Sequence, residues 1–221
     1  MNTHYPPMKK ALLVIAAFAC ALTAQATTIT TNGTGYDGNY WSFWRSGNGT
    51  AQLNLLGGGH FSTYFNNIGD TTMGKGWNPG SARLCGYNAG VYSNTAGGTG
   101  GMYGWQQNPQ TEWYVNEFWG SQPPQGSGAT YLGNFSSDGG SYNMYKRQLY
   151  GSSPTGNVYF WQINSSRTSQ NSKGVNHTIN TGNHFYAWKQ KGVPFGSTFQ
   201  GMFFDTEGWG TGVGNADVTV W

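Results

Sequence analysis

Asp37, Asp70, Glu112, Glu117, Asp138, Asp205, Glu207 and Asp217 are all the acidic side chains in 221 residues. A reaction that needs a pair of carboxyl groups therefore has few to draw on. Asp37 and Asp138 stand beside glycine, as turn residues do. Asp217, in the last alternating run, suits a solvent-facing strand position. Glu112 and Glu207 differ from these, because each sits among aromatics, in TEWYVNEFWG (111–120) and DTEGW (205–209). Two carboxyls across a glycosidic bond divide the work of hydrolysis: one protonates the leaving oxygen, the other attacks the anomeric carbon or activates water. Aromatic rings beside them suit sugars, whose flat faces stack on them while hydroxyls bond polar tips. The plainer alternative is two strand glutamates on a solvated face.

Both stretches alternate with the period of a strand. In TEWYVNEF, Glu112, Tyr114 and Asn116 share one face, and Trp113, Val115 and Glu117 share the other. By pattern alone either face could be the core, although Glu117 would be uncomfortable there without a partner. In FFDTEGW, Asp205 and Glu207 share a face and Phe204 and Thr206 take the other. Asp205 could repel the charge of Glu207 or pair with an arginine, and both options stand.

Further short alternating runs, HFSTYF, SYNMYKRQLY, NVYFWQINSS and ADVTVW, lie between turn signals such as Gly57-Gly58-Gly59, Asn78-Pro79-Gly80 and Asp138-Gly139-Gly140. Recurrent turns between short strands predict a sandwich or barrel. SNTAGGTGG (93–101) is expected as a long loop between strands. One segment, NHFYAWKQKG (183–192), predicts a helix: Asn183 as N-cap, Phe185 and Trp188 on one side, late basic residues and Gly192 as stop.

The N-terminus carries Lys9 and Lys10, an apolar run from Ala11 to about Leu22, and Ala24-Gln25-Ala26. This is the pattern of a secretory leader cut after Ala26, and the run is too short for a membrane span. A secreted, soluble monomer is expected. Its roughly 195 residues suffice for one domain (27–221) with a substantial core. Without the leader lysines the net charge falls from +3 to about +1, and the scattered basic residues exclude a nucleic-acid surface. Cys85 is then the only cysteine, so no internal disulfide can form. His60, His177 and His184 lack metal-ligand spacing, and no Gly-rich stretch precedes a helix with Lys-Ser/Thr. No cofactor or metal is expected. With 36 glycines, 16% aromatics and only 9% charged residues, the composition fits an all-β chain that meets a neutral polar partner such as polysaccharide.

The chain resembles the family 11 endo-1,4-β-xylanases. The resemblance runs from about Gly33 to Trp221 and rests on GTGYDGNYWSFW (33–44), GKGW (74–77), YGW (103–105) with Asn108-Pro109, EWYVNEFWG (112–120), NHFYAW (183–188) and TEGW (206–209), in family order. It implies a β-jelly roll of two twisted antiparallel sheets, shaped like a partly closed right hand, with one short helix. It also implies hydrolysis of internal bonds of xylan with retention, Glu112 as nucleophile and Glu207 as acid/base, and a separation between them of roughly 5–5.5 Å. By the same resemblance Trp44 is a sugar platform, and Tyr103, Tyr114 and Gln162 surround the nucleophile. Trp209 stands where many members have Tyr. Arg147, in the place of a substrate-binding arginine, is at the base and Pro154 at the tip of a hairpin over the cleft, whose stretch LYGSSPTGN (149–157) departs from the family motif. Asp70 occupies the place of an Asn or Asp beside the acid/base, where Asp goes with acidic working ranges. A non-catalytic carbohydrate-binding sandwich or lectin, a family 12 endoglucanase and a structural adhesin are the competing expectations. The first would not need two acids flanking one bond.

Overall fold

The computed structural model describes residues 26–221, with Met1 besides. The expected leader therefore falls almost wholly outside the described residues. In chain order come β1 (Thr27–Ile29), β2 (Gly33–Tyr36), β3 (Tyr40–Ser46), β4 (Thr50–Leu55), β5 (His60–Trp77), β6 (Leu84–Asn94), β7 (Thr99–Gln107) and β8 (Thr111–Trp119). They are followed by β9 (Thr130–Ser137), β10 (Gly140–Ser153), β11 (Gly156–Arg167), β12 (His177–Asn180), α1 (Thr181–Gln190), β13 (Thr198–Thr206) and β14 (Gly208–Val220). Among the described residues, an all-β architecture with a single helix is as expected. The loop expected over 93–101 is shorter, because Asn94 still belongs to β6 and Thr99 already to β7.

The strands form one hydrogen-bonded array in the order β12-β6-β14-β5-β13-β7-β8-β11-β10-β9. The long strand β5 holds it together. Its first half lies between β4 and β14, and its second half between β3 and β13. Neighbouring strands run antiparallel except β8 and β11, which run parallel with Gln162 opposite Glu112. That parallel pair sets the nucleophile candidate beside a glutamine 50 residues further along the chain.

Alternation then sorts the side chains to two sides of one sheet. Met102, Trp113, Val115 and Phe204 face the main apolar core. Tyr103, Trp105, Tyr114 and Phe203, from the same strands, form a second cluster with Tyr40 and Phe160 on the opposite face. The helix backs the sheet: Phe185 and Trp188 lie 5.0 and 6.4 Å, centroid to centroid, from Trp113. Deleting a buried ring such as Trp113 costs about 3–5 kcal/mol, and here it would also loosen the strand that carries Glu112. The helix begins earlier than expected. Asn180, not Asn183, is the N-cap, its side chain accepting the Gly182 N–H at 3.1 Å. Asn183 instead donates to Ser137 Oγ.

Glu117 is fully buried and is satisfied in the core. Its carboxylate accepts from Tyr87 at 3.0 Å, Asn171 at 2.9 Å and Arg167 at 3.2 Å, and from Tyr142 as well. Taking one partner from such a buried pair costs about 3–5 kcal/mol, so Glu117 is a structural acid. Asp37 and Asp138 occupy turns as expected, but both also accept from buried groups, Lys75 Nζ at 2.5 Å and His184 Nε2 at 3.0 Å respectively. Asp217 is half-exposed and pairs with His60.

Candidate active site

The aromatic face of the sheet is the floor of a cleft of about 1310 Å³. Trp44, Asp70, Tyr103, Glu112, Tyr114, Arg147, Pro154, Gln162, Glu207 and Trp209, all singled out above, line this one cleft. They come from β3, β5, β7, β8, β10, β11 and the β13–β14 segment, so the fold gathers residues up to 165 positions apart (Trp44 and Trp209).

Glu112 lies in the middle of the floor and is tightly held. Tyr103 Oη donates to its Oε1 at 2.9 Å, and Gln162 Nε2 donates to its Oε2 at 2.7 Å. Each donor is itself oriented. The Trp105 indole N–H donates to Tyr103 Oη at 2.5 Å, so the phenol proton is committed to Glu112. Arg147 Nε donates to Gln162 Oε1 at 2.6 Å, so the amide must turn its N–H to the carboxylate. The resemblance gives Arg147 to the substrate. In this chain its guanidinium lines the cleft, but its Nε is engaged by Gln162 and another nitrogen by the Ser127 carbonyl at 3.2 Å. Burial raises the Glu112 pKa, while Gln162, Tyr103 and Tyr114 oppose the rise by bonding the charged form.

Glu207 faces the same space from the gap between β13 and β14. Its backbone is clamped to Thr99 by reciprocal bonds of 2.8 and 3.1 Å, which fixes the side chain's origin. Its carboxyl is poorly supplied with donors: Thr99 Oγ1 lies 3.3 Å from Oε2 and Tyr114 Oη 3.5 Å from Oε1. Burial is the largest influence and pushes its pKa well above the usual carboxylate range. The neighbouring charges of Asp70, Asp205 and Glu112 push the same way. The two glutamates are thus split in the sense that acid/base chemistry needs. Glu112 is raised against three opposing hydrogen bonds, whereas Glu207 is raised strongly with little opposition.

Asp70 joins Glu207 because β14 begins at Gly208 opposite Thr71 of β5. It is half-buried at the cleft edge, and desolvation pushes its pKa up to about 6. Trp44 stands two positions from Asp70's neighbour Ser46 on β3, opposite Thr72. Trp209 is exposed and packs over Gly97, where a Cβ would come within 2.1 Å of the indole nitrogen. Only glycine leaves the ring room to lie against that wall.

The hairpin above the cleft is formed by β10 and β11, which pair from Tyr142 with Arg167 up to Ser153 with Gly156. Its tip is only Pro154-Thr155, closed by Ser153 Oγ, which accepts from Thr155 N at 3.1 Å and donates to the Gly156 carbonyl at 2.8 Å. Gly156 has φ of 101°, which explains the glycine at that corner. Sequence reasoning missed Trp105, Tyr40, Phe160 and Phe203, which complete the floor. Trp105 was within reach, since it shares a parity with Tyr103. Phe160 and Phe203 carry no signal short of the fold itself.

Comparison with known proteins places this arrangement. The model of the glycosyl hydrolases family 11 matches residues 36–219. A relative named probable endo-1,4-beta-xylanase B from Aspergillus clavatus is 39% identical over 185 residues, covering 83% of this chain and 80% of the relative. Endo-1,4-beta-xylanase 2 from Humicola insolens is 36% identical over 198 residues, 89% of this chain and 84% of the relative. Ethylene-inducing xylanase 1 from Botryotinia fuckeliana is 36% identical over 222 residues, 96% and 76% of the two chains.

Proposed function

The chain belongs to glycosyl hydrolases family 11, and from this we infer that it is an endo-1,4-β-xylanase, cutting internal β-1,4-xylosidic bonds by double displacement with Glu112 as nucleophile and Glu207 as acid/base. The observation that carries the assignment of roles is the unequal support of two buried carboxyls facing one cleft. Glu112 receives good hydrogen bonds on both oxygens, which suits a charged nucleophile. Glu207, with two long contacts and acidic neighbours, suits the group that keeps its proton until the leaving oxygen needs it.

In the first step Glu207 delivers its proton to the glycosidic oxygen as Glu112 attacks the anomeric carbon, and a glycosyl ester forms on Glu112. Glu207, now charged, takes a proton from water, and the hydroxide equivalent frees the sugar with its starting configuration. Tyr103 and Gln162 hold the Glu112 oxygens in line for attack. Tyr114 lies between the two carboxyls and serves both. Trp44 and Trp209 offer flat faces for xylose rings, and the hairpin with Pro154 at its tip closes over the chain and excludes water. The leader-like N-terminus supports export, and no cofactor enters the mechanism. Wild-type protein should release reducing ends from unsubstituted xylan as a spread of oligosaccharides, with a rapid fall in viscosity and no action on cellulose. Release of xylose alone, or cutting of cellulose in place of xylan, would contradict the reading.

Asp70 sets where this chemistry stops on the alkaline side. Half-buried beside Glu207, it loses its proton first, at about 6. Once charged it disfavours a second negative charge on Glu207, and the acid becomes a poorer proton donor. The upper limb of the pH–rate profile therefore tracks Asp70. Asp70→Asn supplies a donor that does not titrate, so the upper limb should move to higher pH by about one unit. A profile of kcat/KM that does not move removes Asp70 from this role.

A further inference from the structure

One buried carboxyl, behind the lining of the cleft, is unused by the steps above. Asp205 lies two residues before Glu207, so it shares a face with Glu207 and Phe203, roughly 7 Å along the strand. It is 1% exposed. Its Oδ1 accepts the Met73 N–H at 2.8 Å, while Oδ2 is buried without a partner. The sequence allowed a pairing with arginine. Among the described residues, no cation forms an ion pair with it. The groups that face it are Asp70 from β5, Tyr92 from β6, Tyr103 from β7, Glu112 and Tyr114 from β8, and Glu207. Every one of them is neutral or negative. Lys75, the nearest cation in register, stands opposite Phe204 and turns away to Asp37. Among the described residues no group of three His, Cys, Asp or Glu is arranged to hold a metal ion.

Two buried acids side by side cannot both ionise cheaply, so they lose protons in sequence, and the one whose carboxylate has the better hydrogen-bond donors goes first. Asp205 has the Met73 N–H and the N–H of Thr206 to steady a charge. Glu207 has only contacts of 3.3 and 3.5 Å. We propose that Asp205 is a positioning residue for the acid/base: it yields its proton to solvent before Glu207 does, and the buried carboxylate so formed holds the last proton on Glu207. The proposal rests on the assignment of Glu207 as acid/base. Its consequence is that Glu207 stays loaded at pH values where Glu112 and Asp70 are already charged.

Eight acidic residues are few enough to follow individually by carboxyl ¹³C NMR. In wild type, Asp70 should titrate first of the three neighbouring acids Asp70, Asp205 and Glu207, and Glu207 last. Asp205→Asn keeps the acceptor for Met73 N–H and removes the charge. The acid dissociation constant of Glu207 should then rise at least tenfold, about one pH unit. Asp205→Ala should produce the same shift. The kinetic counterpart is read in the Asp70→Asn background, where the upper limb reports Glu207 itself. Adding Asp205→Asn should draw that limb back towards acid with KM unchanged. An unmoved Glu207 midpoint overturns the proposal, and so does a shift in Asp205→Ala alone, which would trace to the lost hydrogen bond. The NMR titration needs no turnover, so it stands or falls independently of whether xylan is the substrate.

Discussion

Glu112→Ala should lower kcat/KM on xylan by at least about 10⁴-fold, the scale on which covalent nucleophiles fail when removed. The reason is local and specific. No other carboxylate reaches the place of Glu112: Glu117 points into the core, and Asp70 and Glu207 enter from a neighbouring strand set. Loss of the side chain also opens a space bounded by the Tyr103 hydroxyl and the Gln162 amide, both of which have lost their acceptor. A small anion such as azide fits that space and those donors. It should attack the anomeric carbon from the face that Glu112 used, with no second displacement to follow. An activated aryl xyloside should therefore give the α-glycosyl azide, inverted relative to substrate. A β-azide, or a loss below tenfold, would show that the nucleophile lies elsewhere. Glu112→Gln separates charge from shape, because it fills the space and should be as inactive but without azide rescue.

The alternation in TEWYVNEF was enough to put Glu112 and Tyr114 on one face and Glu117 on the other, because a strand's side chains have no choice of period. It could not say which face was the cleft. That is decided by the helix, whose Phe185 and Trp188 cover Trp113 from behind, and by Arg167, which neutralises Glu117 from 50 residues away. Contacts at that separation leave no mark in local pattern. The helix start shows the same limit at short range. Asn180 and Asn183 are both good caps by type, and the choice depends on Thr181, whose hydroxyl is tied to the backbone of Arg83, just before β6. The parallel pairing of β8 with β11 was likewise invisible, although it places Gln162 against Glu112. The resemblance named Gln162, Tyr103 and Arg147 individually. In the folded protein they form two chains of donors ending on one carboxylate, Trp105 to Tyr103 and Arg147 to Gln162. Asp205 was visible in the sequence as a second acid on the face of Glu207, but the choice between repulsion and pairing with an arginine depends on there being no cation paired with it among the described residues, which only packing decides.

Removing the acid/base should produce a different failure from removing the nucleophile. Glu207→Ala should slow xylan hydrolysis about 10²–10⁴-fold, the range for general acid–base catalysis, because a xylose alkoxide cannot leave unprotonated. A dinitrophenyl xyloside has a leaving group that needs no proton, so its first step should proceed nearly as in wild type. The second step should then stall, since nothing activates water, and the glycosyl ester on Glu112 should accumulate and be visible by intact mass. Azide needs no base. It should discharge the ester from the opposite face to the Glu112 bond and give the β-glycosyl azide, the stereochemical reverse of the Glu112→Ala product. The pH profile should change in the same sense. Glu207, whose pKa is raised by burial and by acidic neighbours, is the group through which Asp70 shapes the upper limb, so that limb should disappear from the first step while the lower limb, set by ionisation of Glu112, remains. Equal losses on xylan and on the dinitrophenyl substrate would mean that Glu207 holds the cleft together rather than moving a proton. The two azide products, one of each configuration from one cleft, would assign Glu112 and Glu207 to opposite faces of the sugar and make the two-step retaining path the only one that fits both.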